Sequence, residues 1–181
     1  MIDPAADCPA GATGLTKETQ MTATAPAAIP ANDRELVLDR RLAAPRAAVW
    51  RCWTEPELLK QWFAPLPWTT ADAELDVRAG GTSRVVMRSP DGDEFPNRGL
   101  YLEVVPGERL VFTDAFVAAW QPSDKPFMVV ELTMADEDGG TRYTARARHW
   151  SVADRETHEQ MGFHDGWGQC ASQLETLAQS L

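Results

Sequence analysis

Residues 35–63 read ELVLDRRLAAPRAAVWRCWTEPELLKQWF, and this stretch decides the fold. Apolar and polar residues alternate over Glu35–Leu42, a pattern that predicts a β-strand. Pro45 suits the first turn of a helix, because proline has no amide hydrogen to leave unpaired there. Apolar residues then recur at helical spacing up to Trp53, which predicts a helix over residues 46–53. A strand is therefore expected to turn directly into a helix.

A second short helix is predicted directly after the first. Thr54 and Glu57 have the spacing of a capping box, in which each side chain accepts a hydrogen bond from a backbone amide at the start of the helix. We expect this helix to run to about Phe63. The stretch as a whole predicts one strand followed by a bent pair of helices.

The middle of the chain has the pattern of antiparallel strands separated by turns. Six strands are expected, near residues 69–78, 81–89, 97–105, 108–117, 126–136 and 140–149. Between them, Gly92, Gly107 and Gly139 follow aspartate or proline, where glycine supplies the positive backbone angles that tight turns need. No helical pattern separates the strands, so we predict a meander that closes on itself and not an alternating β/α fold.

The C-terminal segment is predicted as one long helix over Ala153–Leu181, capped by Ser151 or Asp154. Its apolar stripe consists of Trp167, Cys170 or Ala171, Leu174, Leu177 and Leu181. This is the only predicted element long enough to cover one face of a sheet. Three glycines lie between residues 162 and 168, and each costs ~1 kcal/mol relative to alanine in a helix. They indicate that room is needed there, for backbone packing or for a ligand.

The order of these elements and several separated motifs resemble a known family. The motifs are Pro45–Trp50 with Trp53–Glu57, Trp62 with Phe63, Asp76–Gly81, Pro90–Gly92, Gly99–Pro106, Glu108–Phe112 and Gly166 with Trp167. Residues 35–181 thereby resemble the AHSA-like branch of the SRPBCC, or START-like, superfamily, the homologues of the C-terminal domain of the heat-shock ATPase activator. The resemblance implies an α+β helix-grip fold, in which a curved antiparallel sheet wraps around a long C-terminal helix and encloses a pocket. It carries over no catalytic residues, because the family shares none.

Residues 1–33 are expected to form a disordered tail before a ligand-binding domain over residues 34–181. The tail is rich in Ala, Thr and Pro and has few large apolar residues, so it cannot bury enough surface to offset the entropy of ordering. Met21 is a candidate for the natural start, with the preceding residues as an upstream extension.

Charge and composition restrict the partners and the location. The formal net charge of −10 argues against nucleic acid, because phosphate binding needs clustered Lys and Arg. No apolar run approaches the roughly 20 residues of a membrane span, so no membrane insertion is expected. Cys8, Cys52 and Cys170 are scattered, and residues 1–33 lack the pattern of a secretory signal, which together favour the cytoplasm. An exposed sheet edge or an aromatic pocket mouth would allow a homodimer.

Strand alternation predicts the pocket wall, because residues two apart in a strand share one face. Tyr101 is expected to share its face with Gly99 and Glu103. Trp50, Trp53 and Trp167 are interpreted as core residues, since their spacing is helical. The predicted ligand-binding residues are Trp62, Phe63, Val85, Met87, Tyr101, Phe112, Asp114, Phe116, Trp120, Met128, Val130, His149, Met161, His164 and Gly168.

Four polar residues of this set are candidates for chemistry: Tyr101, Asp114, His149 and His164. An Asp or His in an apolar cavity has a perturbed pKa and can act as a general acid or base. The alternative, which we favour, is that Asp114 ends a strand in solvent and that His149 forms a hydrogen bond at the sheet margin. His164 fits the pocket and the surface equally well.

Three functions stay open at this point, and none of them requires a metal or a cofactor. His149, His158 and His164 lack the tight spacing of zinc ligands. The leading hypothesis is a protein that binds a small hydrophobic or aromatic molecule, such as a lipid or polyketide, in an apolar pocket. The second is an enzyme of the cyclase, hydrolase or lyase type that uses polar groups in the same pocket. The third, suggested by the resemblance alone, is a co-chaperone-like interaction module.

Overall fold

The computed structural model describes residues 33–118 and 120–181. The expected tail, apart from Asp33, and the candidate start at Met21 lie outside the described residues. The described elements are β1 (Glu35–Leu42), α1 (Arg46–Thr54), α2 (Pro56–Leu59), β2 (Thr69–Leu75), β3 (Thr82–Arg88), β4 (Glu94–Val105), β5 (Arg109–Thr113), β6 (Phe116–Ala118), β7 (Gln121–Pro122), β8 (Met128–Glu137), β9 (Gly140–His149), α3 (Val152–Gln160) and α4 (Phe163–Gln179).

Seven strands form one antiparallel sheet in the order β1-β9-β8-β5-β4-β3-β2. The strands β2, β3, β4, β5, β8 and β9 are neighbours in this chain order, and β1 extends the sheet by pairing with β9, so that β1 and β2 form its two edges. β6 and β7 form a separate two-stranded sheet. The turn glycines Gly92, Gly107 and Gly139 have positive φ, as predicted. The predicted α+β class is confirmed.

One face of the sheet is apolar and carries the core. Leu110, Val130, Leu132 and Ala145 from three neighbouring strands are fully buried, as is Leu174 of α4, and all five belong to one cluster. Burying a large aliphatic side chain contributes about 1.5–3 kcal/mol. This face therefore provides most of the driving force that holds the helices against the sheet.

The opposite face carries a row of ion pairs that crosses four strands. The Glu35 carboxylate accepts hydrogen bonds from Arg146 at 2.8 Å and from Arg148 at 2.9 Å. Arg148 also pairs with Glu131 at 2.7 Å, and Glu131 lies 3.7 Å from Arg109. Burial opposes ionisation of Glu35, but the hydrogen bonds from the two arginines outweigh it and hold the pKa of this carboxyl below its ordinary value. The alternation of apolar and charged residues thus fixes which face turns inward.

β4 contains a β-bulge between Tyr101 and Glu103. Tyr101 pairs with Phe112, whereas Glu103 pairs with Val111, one residue earlier on β5. The bulge leaves Tyr101 buried in the core cluster and places Glu103 beside Arg109, with which it forms an ion pair. The prediction that Tyr101 and Glu103 share a face is wrong, because simple alternation does not continue through a bulge.

The C-terminal segment forms two helices, so the prediction of a single helix is wrong. α3 and α4 are separated at Gly162, which has φ 92° and ψ 38°, a left-handed conformation that glycine adopts without steric cost. Ser151 caps α3 as predicted, because its side chain accepts a hydrogen bond from the Asp154 amide at 3.1 Å. In the predicted stripe Leu174 is fully buried, whereas Leu181 is half exposed beyond the end of α4. No helix in the described part of the chain is long and apolar enough to cross a bilayer.

The predicted capping box is also wrong. α1 extends through Thr54, whose hydroxyl donates a hydrogen bond to the Trp50 carbonyl at 2.9 Å. Since Thr54 has helical backbone angles, it cannot also take the extended conformation that an N-cap residue needs. Glu55 is the N-cap of α2, but its side chain makes no capping hydrogen bond, and the helix ends after one turn at Leu59.

Gly168 and Gly162 offer a matched pair of substitutions that tests the break between α3 and α4. Nothing lies within 4 Å of a Cβ atom built at Gly168, so Gly168→Ala should raise the free energy of unfolding by up to about 1 kcal/mol through helix propensity. Gly162→Ala should lower it by about 1–2 kcal/mol, because alanine resists positive φ. Urea unfolding followed by circular dichroism measures both changes. A stabilising Gly162→Ala substitution would contradict the helix break.

Candidate functional site

A cavity of about 690 Å³ lies between the apolar face of the sheet and the helices. Residues of the helix pair, of β2–β6 and β8–β9, of the loops between them and of the C-terminal helices form its wall. The lining residues are Trp53, Leu59, Trp62, Phe63, Pro65, Leu75, Ser83, Val85, Met87, Pro96, Asn97, Arg98, Gly99, Tyr101, Phe112, Thr113, Asp114, Val117, Ser123, Lys125, Phe127, Met128, Val130, Tyr143, His158, Met161, Gly162, Phe163, Gly166, Trp167, Cys170 and Ala171.

Aromatic side chains meet at the end of the cavity formed by α1 and the segment after α2. The ring centroids of Trp53 and Trp62 lie 4.7 Å apart in an edge-to-face arrangement, and Phe63 stands 6.1 Å from Trp53. The Trp62 indole N–H donates to the Cys52 carbonyl at 3.0 Å, and the Gln173 amide of α4 donates to the Trp62 carbonyl at 2.8 Å. These bonds hold the aromatic wall in one conformation.

Two buried tyrosines, Tyr101 and Tyr143, supply hydroxyl groups on the wall. Burial, assisted by the charge of Asp76, raises the pKa of Tyr101 to about 12. Burial also raises the pKa of Tyr143. Both phenols therefore stay neutral and act as hydrogen-bonding groups.

The position of Tyr101 depends on a close approach between backbones. The Tyr101 amide donates to the Gly81 carbonyl at 2.9 Å. A Cβ atom at residue 81 would lie 1.9 Å from the Asp76 carbonyl oxygen, so only glycine fits there. The Asp76–Gly81 motif therefore fixes the position of the Tyr101 backbone relative to the cavity.

His158 of α3 lines the cavity and forms a hydrogen-bonded pair with His149 of β9. The distance from His149 Nε2 to His158 Nδ1 is 2.9 Å, and His149 Nδ1 lies 3.0 Å from the Arg34 carbonyl. The His158 ring contacts Phe127, Phe163 and Trp167 at centroid distances of 5.2, 5.1 and 6.0 Å. Burial, reinforced by His149, lowers the pKa of His158 to about 4. His158 is therefore a neutral imidazole at pH 7.

Asp114 holds a loop in place. One carboxylate oxygen accepts hydrogen bonds from the Phe127 and Met128 amides at 2.9 and 3.0 Å, and the other accepts from the Phe127 amide at 3.0 Å. This arrangement fixes Phe127 against His158. Asp114 directly follows β5, as the interpretation of a strand end has it, but its carboxylate is held by two backbone amides on the cavity wall and does not end in solvent.

The structure brings ten of the predicted ligand-binding residues onto the cavity wall: Trp62, Phe63, Val85, Met87, Tyr101, Phe112, Asp114, Met128, Val130 and Met161. Four others lie elsewhere. Phe116 of β6 packs on Trp120 in the turn before β7, with 5.8 Å between the ring centroids, because the chain changes direction after Thr113 and a new strand begins there. His164 lies on the outer side of α4, 3.7 Å from Glu159, and the Gly168 carbonyl accepts from Arg40 of β1.

A fifth predicted residue, His149, lies behind His158 and reaches the cavity only through it. Sequence reasoning missed His158 as a wall residue, because the break at Gly162 changes the orientation of α3. Trp53 and Trp167, interpreted as core, line the cavity as well. The alternation of β9 placed Tyr143 on the inner face, a signal that could have identified its hydroxyl as a polar wall group.

The thiols of the described residues are unsuited to nucleophilic chemistry. Burial raises the pKa of both Cys52 and Cys170 to about 11, so both are protonated at pH 7. Cys170 donates its hydrogen to the Phe63 carbonyl at 3.2 Å. Within residues 33–118 and 120–181 no three His, Cys, Asp or Glu side chains come together as a metal site.

The lowered pKa of His158 predicts a pH dependence of stability. The pKa falls from an ordinary 6.5 to about 4 in the folded protein, so between these values the unfolded chain binds the proton first. Stability should therefore be lost as the pH falls through this window, by up to about 3 kcal/mol. Urea unfolding at pH 7 and pH 4.5 measures the loss. His158→Phe should lose less unfolding free energy over this pH range than the wild type. The control His164→Ala, at an exposed site, should lose as much as the wild type. Identical pH profiles for His158→Phe and the wild type would contradict the burial of a neutral His158.

Comparison with known proteins places the chain in a family. The sequence profile described as "Activator of Hsp90 ATPase homolog 1-like protein" matches residues 43–179. No curated protein matches the chain.

Solved structures agree with this placement. A crystal structure of a protein from Nitrosomonas europaea is 44% identical with a TM-score of 0.79, over 82% of this chain and 96% of that chain. A crystal structure from Mycobacterium smegmatis is 24% identical with a TM-score of 0.70, over 82% and 93%. The solution structure of an AHSA1-like protein from Aeromonas hydrophila is 22% identical with a TM-score of 0.62, over 78% and 92%; these last two likenesses concern the fold alone. The predicted resemblance is confirmed, and the chain belongs to the family of activator of Hsp90 ATPase homolog 1-like proteins, a branch of the helix-grip superfamily.

Proposed function

We propose that this protein binds a small hydrophobic or aromatic molecule in the cavity between the sheet and the helices. The observation that carries the proposal is the cavity itself, about 690 Å³ in volume and lined mainly by aromatic and aliphatic side chains. Pockets for small molecules typically measure about 300–1,000 Å³ and combine an apolar lining with a few polar groups. This cavity has both properties.

The energetics of an apolar cavity support a ligand. Side chains around an unfilled space lack partner atoms on one side and lose dispersion contacts. Most of the wall is apolar, so water gains few hydrogen bonds there. A hydrophobic ligand would restore the contacts of Trp53, Phe63 and Trp167, and release water from the apolar surface.

The polar groups of the wall favour recognition over proton transfer. Tyr101 and Tyr143 keep their hydrogens, because burial raises the pKa of both phenols. The carboxylate of Asp114 is engaged by two backbone amides. Arg98 and Lys125 are exposed, which places the charged side chains at the rim of the cavity. A neutral, mainly apolar ligand fits this distribution.

Two glycines of α4 allow a direct test. A Cβ atom meets nothing within 4 Å at Gly166, which lines the cavity, or at Gly168, which does not. Gly166→Leu should fill part of the cavity and weaken binding of the neutral fluorophore 1-aminoanthracene at least tenfold, a loss of about 1.4 kcal/mol. The matched control Gly168→Leu should bind like the wild type. Fluorescence titration measures the affinities, and unchanged binding by Gly166→Leu would place the ligand outside this cavity.

A further inference from the structure

The hydrogen-bond pattern of the His149–His158 pair fixes where the hydrogens lie. A backbone carbonyl can only accept, so His149 Nδ1 donates to the Arg34 carbonyl at 3.0 Å. In a neutral imidazole the other nitrogen then keeps its lone pair, which makes His149 Nε2 an acceptor. The contact of 2.9 Å to His158 Nδ1 therefore requires a hydrogen on that atom. Whenever neither imidazole carries an extra proton, His158 Nε2 is left without a hydrogen and can only accept.

His158 presents this acceptor in apolar surroundings. The residue is 8% exposed and lines the cavity. Phe127, Phe163 and Trp167 surround its ring. Among residues 33–118 and 120–181, His158 Nε2 has no hydrogen-bond partner. Because no group of the described residues donates to this atom and His158 lines the cavity, a donor on a ligand can form a hydrogen bond with it.

We propose that the ligand of the cavity is a neutral apolar or aromatic molecule with a hydroxyl group, of the phenol class, and that His158 Nε2 accepts the hydrogen bond of this hydroxyl. The proposal rests on the proposed function, since it assigns the chemistry of a ligand in the same cavity. His149 acts as a positioning residue: through the Arg34 carbonyl it fixes the tautomer and the orientation of the His158 ring.

The neighbouring groups agree with a neutral hydroxyl. A carboxylate would bring a second acceptor against the lone pair of His158 Nε2, with no hydrogen between them. The rings of Phe127 and Trp167 can pack against an aromatic ligand through the same kind of ring contacts that they make with His158. A phenol satisfies the acceptor and the apolar wall at the same time.

A matched pair of probes tests the proposal with the full-length protein. 2-Naphthol carries a hydroxyl donor, and 2-methoxynaphthalene has the same rings without it. The wild type should bind 2-naphthol about tenfold more tightly, as expected for one net hydrogen bond. His158→Phe keeps an aromatic ring but removes the acceptor, so the ratio of the two affinities should fall to about one, whatever change in packing the two probes share. Intrinsic tryptophan fluorescence and calorimetry measure these affinities.

Substitutions of His149 separate positioning from general packing. The glutamine in His149→Gln can donate to the Arg34 carbonyl and accept from His158, so the preference for 2-naphthol should remain. His149→Leu can do neither, and the preference should fall towards that of His158→Phe. A purely structural role would weaken both probes alike and leave their ratio unchanged, which would overturn the positioning role.

Nitrogen-15 NMR of the imidazoles tests the tautomer without any substitution. His158 Nε2 should show the resonance of an unprotonated nitrogen, and 2-naphthol, but not 2-methoxynaphthalene, should shift it. If both probes bind equally and Nε2 carries the hydrogen, the inference is wrong while the proposed function stands. If neither probe binds and 1-aminoanthracene does not bind either, the proposed function fails and the inference fails with it.

Discussion

The apolar face of the seven-stranded sheet must be covered, and the way in which the helices cover it determines the rest of the structure. α1 packs on β8 and β9, α4 packs on β1 and α1, and α2 packs on β2. The helices thus contact the strands at both ends of the sheet, β1, β8 and β9 at one end and β2 at the other. The strands β3, β4 and β5 between them line the cavity. The cavity is a consequence of this arrangement, because the helices reach across the centre of the sheet without filling the space above it.

Two local departures from regular structure decide which side chains face the cavity. The bulge in β4 keeps the Tyr101 side chain on the cavity side and places Glu103 on the charged face. One extra residue thus lets two residues that are two apart in the strand point to opposite faces of the sheet. The break at Gly162 lets α3 and α4 take different directions. His158 reaches the wall because of it, whereas His164 lies outside. Bulges and helix breaks of this kind are common where a fold shapes a site.

The polar groups around the cavity have divided roles. Asp114 and Gln173 hold backbone segments in place, and their effect on the cavity is the fixed position of Phe127 and Trp62. Tyr101 and Tyr143 present neutral hydroxyls. In the histidine pair, the Arg34 carbonyl outside the cavity accepts a hydrogen bond from His149 Nδ1 and so fixes the position of that hydrogen. A site built in this way is rigid, and rigidity reduces the entropy lost when a ligand binds.

The amino-acid sequence by itself determined the fold class, the strand Glu35–Leu42 and the family, because apolar alternation, turn glycines and separated motifs are local patterns that a linear chain displays. It also placed Val85, Met87 and Val130 on one face, since side-chain direction in a regular strand follows from position alone. Tertiary structure alone decided that Phe116 and Trp120 leave the wall, and that His158 enters it. The physical reason is that each depends on a change of chain direction, at a turn or at Gly162, and the angle of such a change is set by packing between elements distant in the sequence.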